Sequence, residues 1–124
     1  FVLALPADGG AWTLWSGTMD RRPWLVLSSP RAEKVGGAQC PAPSRPLTVC
    51  MWGSFGRAGV VVGRVRPRVA SVVVRDGAGH RLRSVLHGGA YLAVAPVAPG
   101  RFTIVARDRH GDVVARKVKY DHRP

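Results

Sequence analysis

Cysteine, lysine and acid are all scarce in this sequence. Its 124 residues hold two cysteines, three lysines (Lys34, Lys117, Lys119) and seven acids. Two cysteines exclude a four-cysteine zinc site and a dense disulfide scaffold. No apolar run approaches the roughly 20 residues that span a bilayer as a helix. No segment of useful length carries apolar residues at i, i+3, i+4 and i+7, so the pattern of an amphipathic helix is missing. No Gly-x-Ser-x-Gly elbow occurs, and Gly53-Ser54-Phe55-Gly56 has the wrong spacing for one.

What is present is positive charge on an ordinary globular composition. Hydrophobic residues make up 46 % and charged residues 21 %, which argues against global disorder. Nineteen Lys+Arg against seven Asp+Glu leave a formal charge of +12, and sixteen of the cations are arginine. Abundant Ala, Val, Gly and Pro accompany them. Such residues have GC-rich codons, so compositional bias is one source of the arginine. A functional field is the other, because charge of this size attracts nucleic acid, anionic lipid or an anionic wall polymer.

Cys40 and Cys50 flank a segment with three prolines, Pro41, Pro43 and Pro46, and neither His nor acid lies between them. This spacing reads as a disulfide, with two buried thiols as the alternative. A ring of this size stabilises by about 2–3 kcal/mol through loop entropy, less where prolines already stiffen the unfolded chain. A disulfide in turn places the chain in an oxidising, extracytoplasmic compartment. Membrane anchoring would need a segment outside residues 1–124.

The apolar runs are short, valine-rich and broken by Gly, Pro or Asp every 8 to 12 residues or so, the signature of an all-β sandwich or barrel. Strands are expected at Phe1–Leu5, Ala11–Trp15, Trp24–Ser28, Thr48–Trp52, Val60–Arg66, Val69–Arg75, His80–Leu86, Tyr91–Ala95, Arg101–Arg107 and Val113–Tyr120. Ser29–Leu47 reads as a long polar loop, its second half clamped by the disulfide. Gly53–Gly56 with Gly59 reads as a turn, as does Pro96–Gly100, and Pro67 should end the strand before it or push that strand to a sheet edge. Val73–Gly79 and Val105–Gly111 share Val-x-Arg-Asp-x-x-Gly. Asp76 and Asp108 should cap their turns by side chain, with Gly79 and Gly111 at positive φ. Alternation puts Phe102, Ile104 and Ala106 on a core face, with Arg101, Thr103, Val105 and Arg107 on the other. It also puts Arg64 and Arg66 opposite Val65, and Arg81 and Arg83 opposite Leu82. With Arg68 continuing the row, these five arginines form one basic sheet face and a candidate anion-binding surface.

Groups that could carry chemistry are sparse. Four histidines (His80, His87, His110, His122) and several serines show no nucleophile–base spacing, and Asp8, Asp76, Asp108 and Asp112 sit where turns want Asp. His110 and Asp112 lack a second tight pair of ligands, so no metal is expected, nor a cofactor or a catalytic residue. Trp12 and Trp15 have opposite parity in a strand, so at most one enters the core there. The other is either covered by the long loop or exposed, and exposed aromatics stack on sugars or bases. Ser44-Arg45-Pro46, inside the cysteine ring, forms a candidate interaction loop with the outline of a protease-inhibitor loop.

Gly63-Arg-Val65, Ala70-Ser-Val-Val-Val-Arg-Asp-Gly77, Gly88-Gly-Ala-Tyr91, Pro99-Gly-Arg-Phe-Thr-Ile104 and Asp108-Arg-His-Gly111 follow a recognisable order. It resembles the Ig-like or transthyretin-like β-sandwich modules related to carboxypeptidase regulatory domains. It is also similar in style to ectodomains of secreted or membrane-anchored actinobacterial proteins of unknown function. The resemblance covers residues 59 to 120 and implies binding, scaffolding or folding roles with no catalytic residue. The expectation is therefore a single all-β domain. Residues 59–124 would supply an antiparallel sandwich core, and residues 1–56 an N-terminal strand extension with a clamped loop. Its function would be a non-catalytic, extracytoplasmic module for protein interaction or sensing. The alternatives are polyanion binding through the basic face and inhibitor-like display of residues 40–50.

Overall fold

The continuous apolar stretches Val60-Val61-Val62 and Ala90–Ala95 cannot be satisfied by a sheet with one wet face. Alternation sends their side chains both ways, so a strand that is apolar at every position needs cover on both sides. The computed structural model, which describes residues 2–97 and 100–120, supplies that cover. Phe1, Ala98, Pro99 and the segment 121–124 lie outside the described residues, and with them parts of the expected first strand and of the Pro96–Gly100 turn, as well as His122.

The described residues form eleven strands and no helix. They are β1 (Leu3–Ala7), β2 (Gly10–Met19), β3 (Arg22–Ser28), β4 (Lys34–Gln39), β5 (Leu47–Phe55), β6 (Ala58–Val65), β7 (Val69–Arg75), β8 (Arg83–His87), β9 (Ala90–Ala95), β10 (Arg101–Asp108) and β11 (Val113–Tyr120). Three antiparallel sheets result: β1-β2-β3-β4, β5-β6-β9-β8 and β11-β10-β7. The second is the central layer. Val60, Val62, Ala90 and Leu92 pack against Leu3, Leu5, Trp12, Leu14, Leu25 and Leu27 of the first sheet. Val61, Tyr91, Ala93 and Ala95 pack against Val69, Val72, Val74, Phe102, Ile104 and Ala106 of the third. The fold is thus an all-β antiparallel sandwich in which the N-terminal strands add a further layer with its own core.

Two findings correct the sequence-based expectations. The stretch Ser29–Leu47 is not all loop, because β4 pairs with β3 and forms the edge of the first sheet. Its Lys-Val-Gly-Gly-Ala-Gln sequence has no alternation to announce a strand. The glycines allow close packing: a Cβ on Gly36 would lie 3.3 Å from Met51 Sδ, and one on Gly37 3.3 Å from Val26 Cγ2. Gly53 belongs to β5 and not to a turn; the hairpin closes at Gly56-Arg57 between Phe55 and Ala58.

The disulfide joins Cys40, just past β4, to Cys50 in β5, with Cα atoms 5.5 Å apart. It therefore staples the first sheet to the central one. Cys50 sits at the register shift between Val49 and Met51, an extra residue inserted into the ladder with β6. Such a bulge flips the phase of the strand beyond it. Leu47 and Val49 face the third sheet, whereas Cys50, Met51 and Phe55 face the first.

The two matched turns form as expected. Asp76 Oδ1 accepts from the amides of Ala78 and His80, and Asp108 Oδ1 from those of His110 and Asp112. Gly79 and Gly111 take φ of +87° and +84°.

Tyr91 is fully buried, and its hydroxyl donates to the Thr48 carbonyl at 2.8 Å. The ring passes directly over Gly63, where a Cβ would run into that hydroxyl and that carbonyl. Gly63→Ala should therefore cost about 3 kcal/mol, the upper range of overpacking. Gly17→Ala, in open space on β2, should change stability by no more than about 0.5 kcal/mol. Urea denaturation of the two variants checks the contrast.

Candidate functional site

The five arginines singled out from the sequence do not form one row. Arg64 lies opposite Ala90 and Arg83 opposite Val94, and both partners face the first sheet. That face of the central sheet is covered, so the two arginines emerge at opposite ends of it. Arg64 Nε donates to the Cys40 carbonyl at 2.7 Å. Arg66 Nη1 donates to the Ser44 carbonyl at 3.1 Å, and its backbone amide to the Pro46 carbonyl. Both side chains thereby tie down the connection after β4. Arg68 is exposed in the turn between β6 and β7. Arg81 bridges to Arg75 where the chain passes from the third sheet to the central one.

The interaction loop is held from beneath by those contacts. Ser44 and Arg45 are exposed and Pro46 half-buried. Arg45 also lines a hollow of about 210 Å³ with Thr48, Lys117 and Lys119. Lys117 and Lys119 project from edge strand β11 on the same side as its partners Phe102 and Ile104. Lys119 Nζ lies 4.3 Å from the centre of the Trp52 ring. Inward-facing lysine on an edge strand blocks pairing with another sheet, and the indole face offsets part of its desolvation.

The exposed basic face is elsewhere. On the third sheet, register places Arg75, Thr103 and Val118 in one outward row and Val73, Val105 and Arg116 in the next. Arg101 lies opposite Tyr120, and Arg107 opposite Ser71. Four arginines (Arg75, Arg101, Arg107, Arg116) thus share the outer face with no carboxylate among them. Arg75 and Arg101 each donate to a carbonyl of the β7–β8 turn, of Gly79 and Gly77. Carbonyl contacts orient these cations without neutralising them. The acids at the ends of these strands, Asp76 and Asp108, are committed to turn amides. Among the described residues no Lys or Arg lies within 4 Å of a carboxylate oxygen. Alternation had placed Arg101 and Arg107 outward. Their union with Arg75 and Arg116 depends on strand order, which no local pattern reports.

The tryptophans separate as parity requires. Trp12 is 8 % exposed and meets Phe55 edge to face at 6.4 Å, while Trp15 is 45 % exposed on the outer face of the first sheet. Trp24 is half-buried on that same face. A hollow of about 640 Å³ opens beside Trp12, lined also by Leu5, Asp8, Ala58, Arg83 and Val94. A second, of about 440 Å³, lies beside Arg64, Arg66 and Pro43.

Of the described histidines, His80 faces Asp76, with Nδ1 3.3 Å from Oδ2. His110 stands in the Asp108 turn and His87 at the end of β8. No three His, Cys, Asp or Glu side chains among the described residues group as a metal site. Compared with family models, with curated proteins and with solved structures, the chain matches none.

The Asp76 turn carries a pH signature. The His80 backbone amide above all holds the Asp76 carboxyl below the usual carboxylate range; burial opposes it, and Ala78's amide and the His80 ring add smaller lowering effects. A carboxylate with a lowered folded pKa stabilises fully above its unfolded value and stops doing so as pH falls through the folded one. Wild type should therefore exceed Asp76→Asn in urea midpoint at about pH 6, and the gap should close below about pH 4. A gap independent of pH would contradict this assignment.

Proposed function

We propose that this chain is a non-catalytic, extracytoplasmic binding module that engages an anionic polymer through the outer face of its third sheet. The observation that carries the reading is the set Arg75, Arg101, Arg107 and Arg116, outward-facing on three adjacent strands with no acid between them. A sheet face with arginine on each of its three strands suits a flexible chain with repeated anions better than one small ligand. The exposed Tyr120 and Val118 on the same face add apolar contact for the backbone of such a polymer.

Two further observations support the reading. No Lys or Arg is paired with a carboxylate among the described residues, so the chain's +12 charge attracts at long range without internal neutralisation of its cations. The Cys40–Cys50 disulfide fits an oxidising compartment. The Arg-rich face favours this reading over a protein contact centred on residues 29–47. Much of that stretch is spent on β4 and on carbonyls that Arg64 and Arg66 hold.

Fluorescence anisotropy with labelled polyphosphate and labelled heparin tests the proposal. Affinity should fall steeply between roughly 50 and 200 mM salt, as counterion release requires. Arg107→Gln combined with Arg116→Gln should reduce the slope of log K against log salt by about 1.4, two lost contacts at about 0.7 each. Affinity that ignores salt, or a double variant that binds like wild type, would refute it.

A further inference from the structure

The outer face of the first sheet has the opposite character. Register places Gly17, Trp24 and Gln39 in one outward row, and Trp15, Val26 and Gly37 in the next. Thr13 and Ser28 form the row beyond. Charge appears only at the rims, with Arg22 opposite Met19 and Lys34 opposite Ser28. In a chain with 19 Lys+Arg, an uncharged sheet face that exposes the Trp15 indole beside the half-buried Trp24 stands apart from its surroundings.

Its centre is Gly17. A Cβ there would meet nothing within 4 Å, and the backbone is not left-handed, so neither turn geometry nor crowding calls for glycine. Glycine inside a strand often marks a place where another molecule approaches the backbone closely. Trp15 and Met19 flank the gap along β2, and Trp24 stands across it on β3. Trp15 is held in place, because its Nε1–H donates to Thr13 Oγ1 at 3.1 Å. Trp24 lies against the sheet, with its Cε3 3.7 Å from where a Cβ on Gly37 would be. Flat aromatic rings fixed before binding lose little entropy on contact.

We propose that this face is a stacking platform for an uncharged pyranose polysaccharide, one sugar ring sitting over Gly17 between the indoles of Trp15 and Trp24. A pyranose presents a flat C–H face that matches an indole, and hydroxyls at its edge that match Thr13, Ser28 and Gln39. The absence of charge within the platform selects against anions, which the third sheet attracts instead. A second copy of the chain would bring two +12 charges together. This surface is independent of the anionic-polymer face and stands or falls separately.

The test is titration of the full chain with cello-, malto-, manno- and laminari-hexaose, followed by tryptophan fluorescence and calorimetry. At least one hexaose should bind with little dependence on salt. Trp15→Ala and Gly17→Val should each weaken binding roughly tenfold, the loss typical of one stacked ring on an aromatic. Gly17→Val fills the gap in open space and should keep the wild-type thermal midpoint, so loss of binding there is not loss of fold. Arg107→Gln with Arg116→Gln should leave hexaose binding unchanged. No binding of any hexaose at millimolar concentration overturns the proposal. So does binding that survives both platform variants, or a concentration-dependent dimer in sedimentation that Trp15→Ala abolishes.

Discussion

Burial of the central sheet on both faces is the constraint from which the rest of the molecule follows. β6 and β9 are its inner strands, and almost every position along them is apolar. Water on either face would leave about half of that surface exposed, at roughly 25 cal/mol for each Å². The first sheet therefore cannot be an appendage, since it covers Val60, Val62, Ala90 and Leu92. One feature ties two layers together and another ties strands within the middle one. The disulfide joins the first and central sheets, and Tyr91, reaching past Gly63 to Thr48, locks β9, β6 and β5 together on the other side. Burial without a nearby charge pushes the Tyr91 hydroxyl's ionisation well above the usual phenol range, so that bond keeps its proton at any ordinary pH.

A three-layer molecule has two free faces, and here they differ in chemistry. The third sheet turns arginine outward and the first turns tryptophan, glycine and hydroxyl groups outward. The central layer keeps them apart on opposite sides. Positive charge inside the platform would disturb a neutral ligand, and indoles among the arginines would dilute the field.

Local features of the fold were legible in the sequence and long-range ones were not. The Asp76 and Asp108 turns could be read because a turn is decided within five residues, and β7 and β11 begin and end where alternation puts them. That Trp12 and Trp15 take opposite faces followed from parity; which of the two enters the core did not. β4 escaped because its two glycines carry no alternation, and only their neighbours Met51 and Val26 give them a reason. The bulge at Cys50 escaped because an extra residue leaves no mark on composition, yet it turns Trp52 toward Lys119 and Phe55 toward Trp12. The arginine faces were misdrawn for a related reason. Arg64 and Arg83 lie on strands separated by β9 and on a face that the first sheet covers. Arg75, Arg107 and Arg116 meet only because β10 lies between β7 and β11.

Native-state hydrogen exchange resolved by residue measures the double burial directly. Opening β6 or β9 requires both cores to part, so their amides should exchange only through global unfolding and be the slowest in the chain. Edge strands β4 and β11 should exchange faster, by local opening. Exchange at Val61, Val62 and Leu92 as rapid as at β11 would mean that the middle layer is not closed on both sides, and would contradict this account.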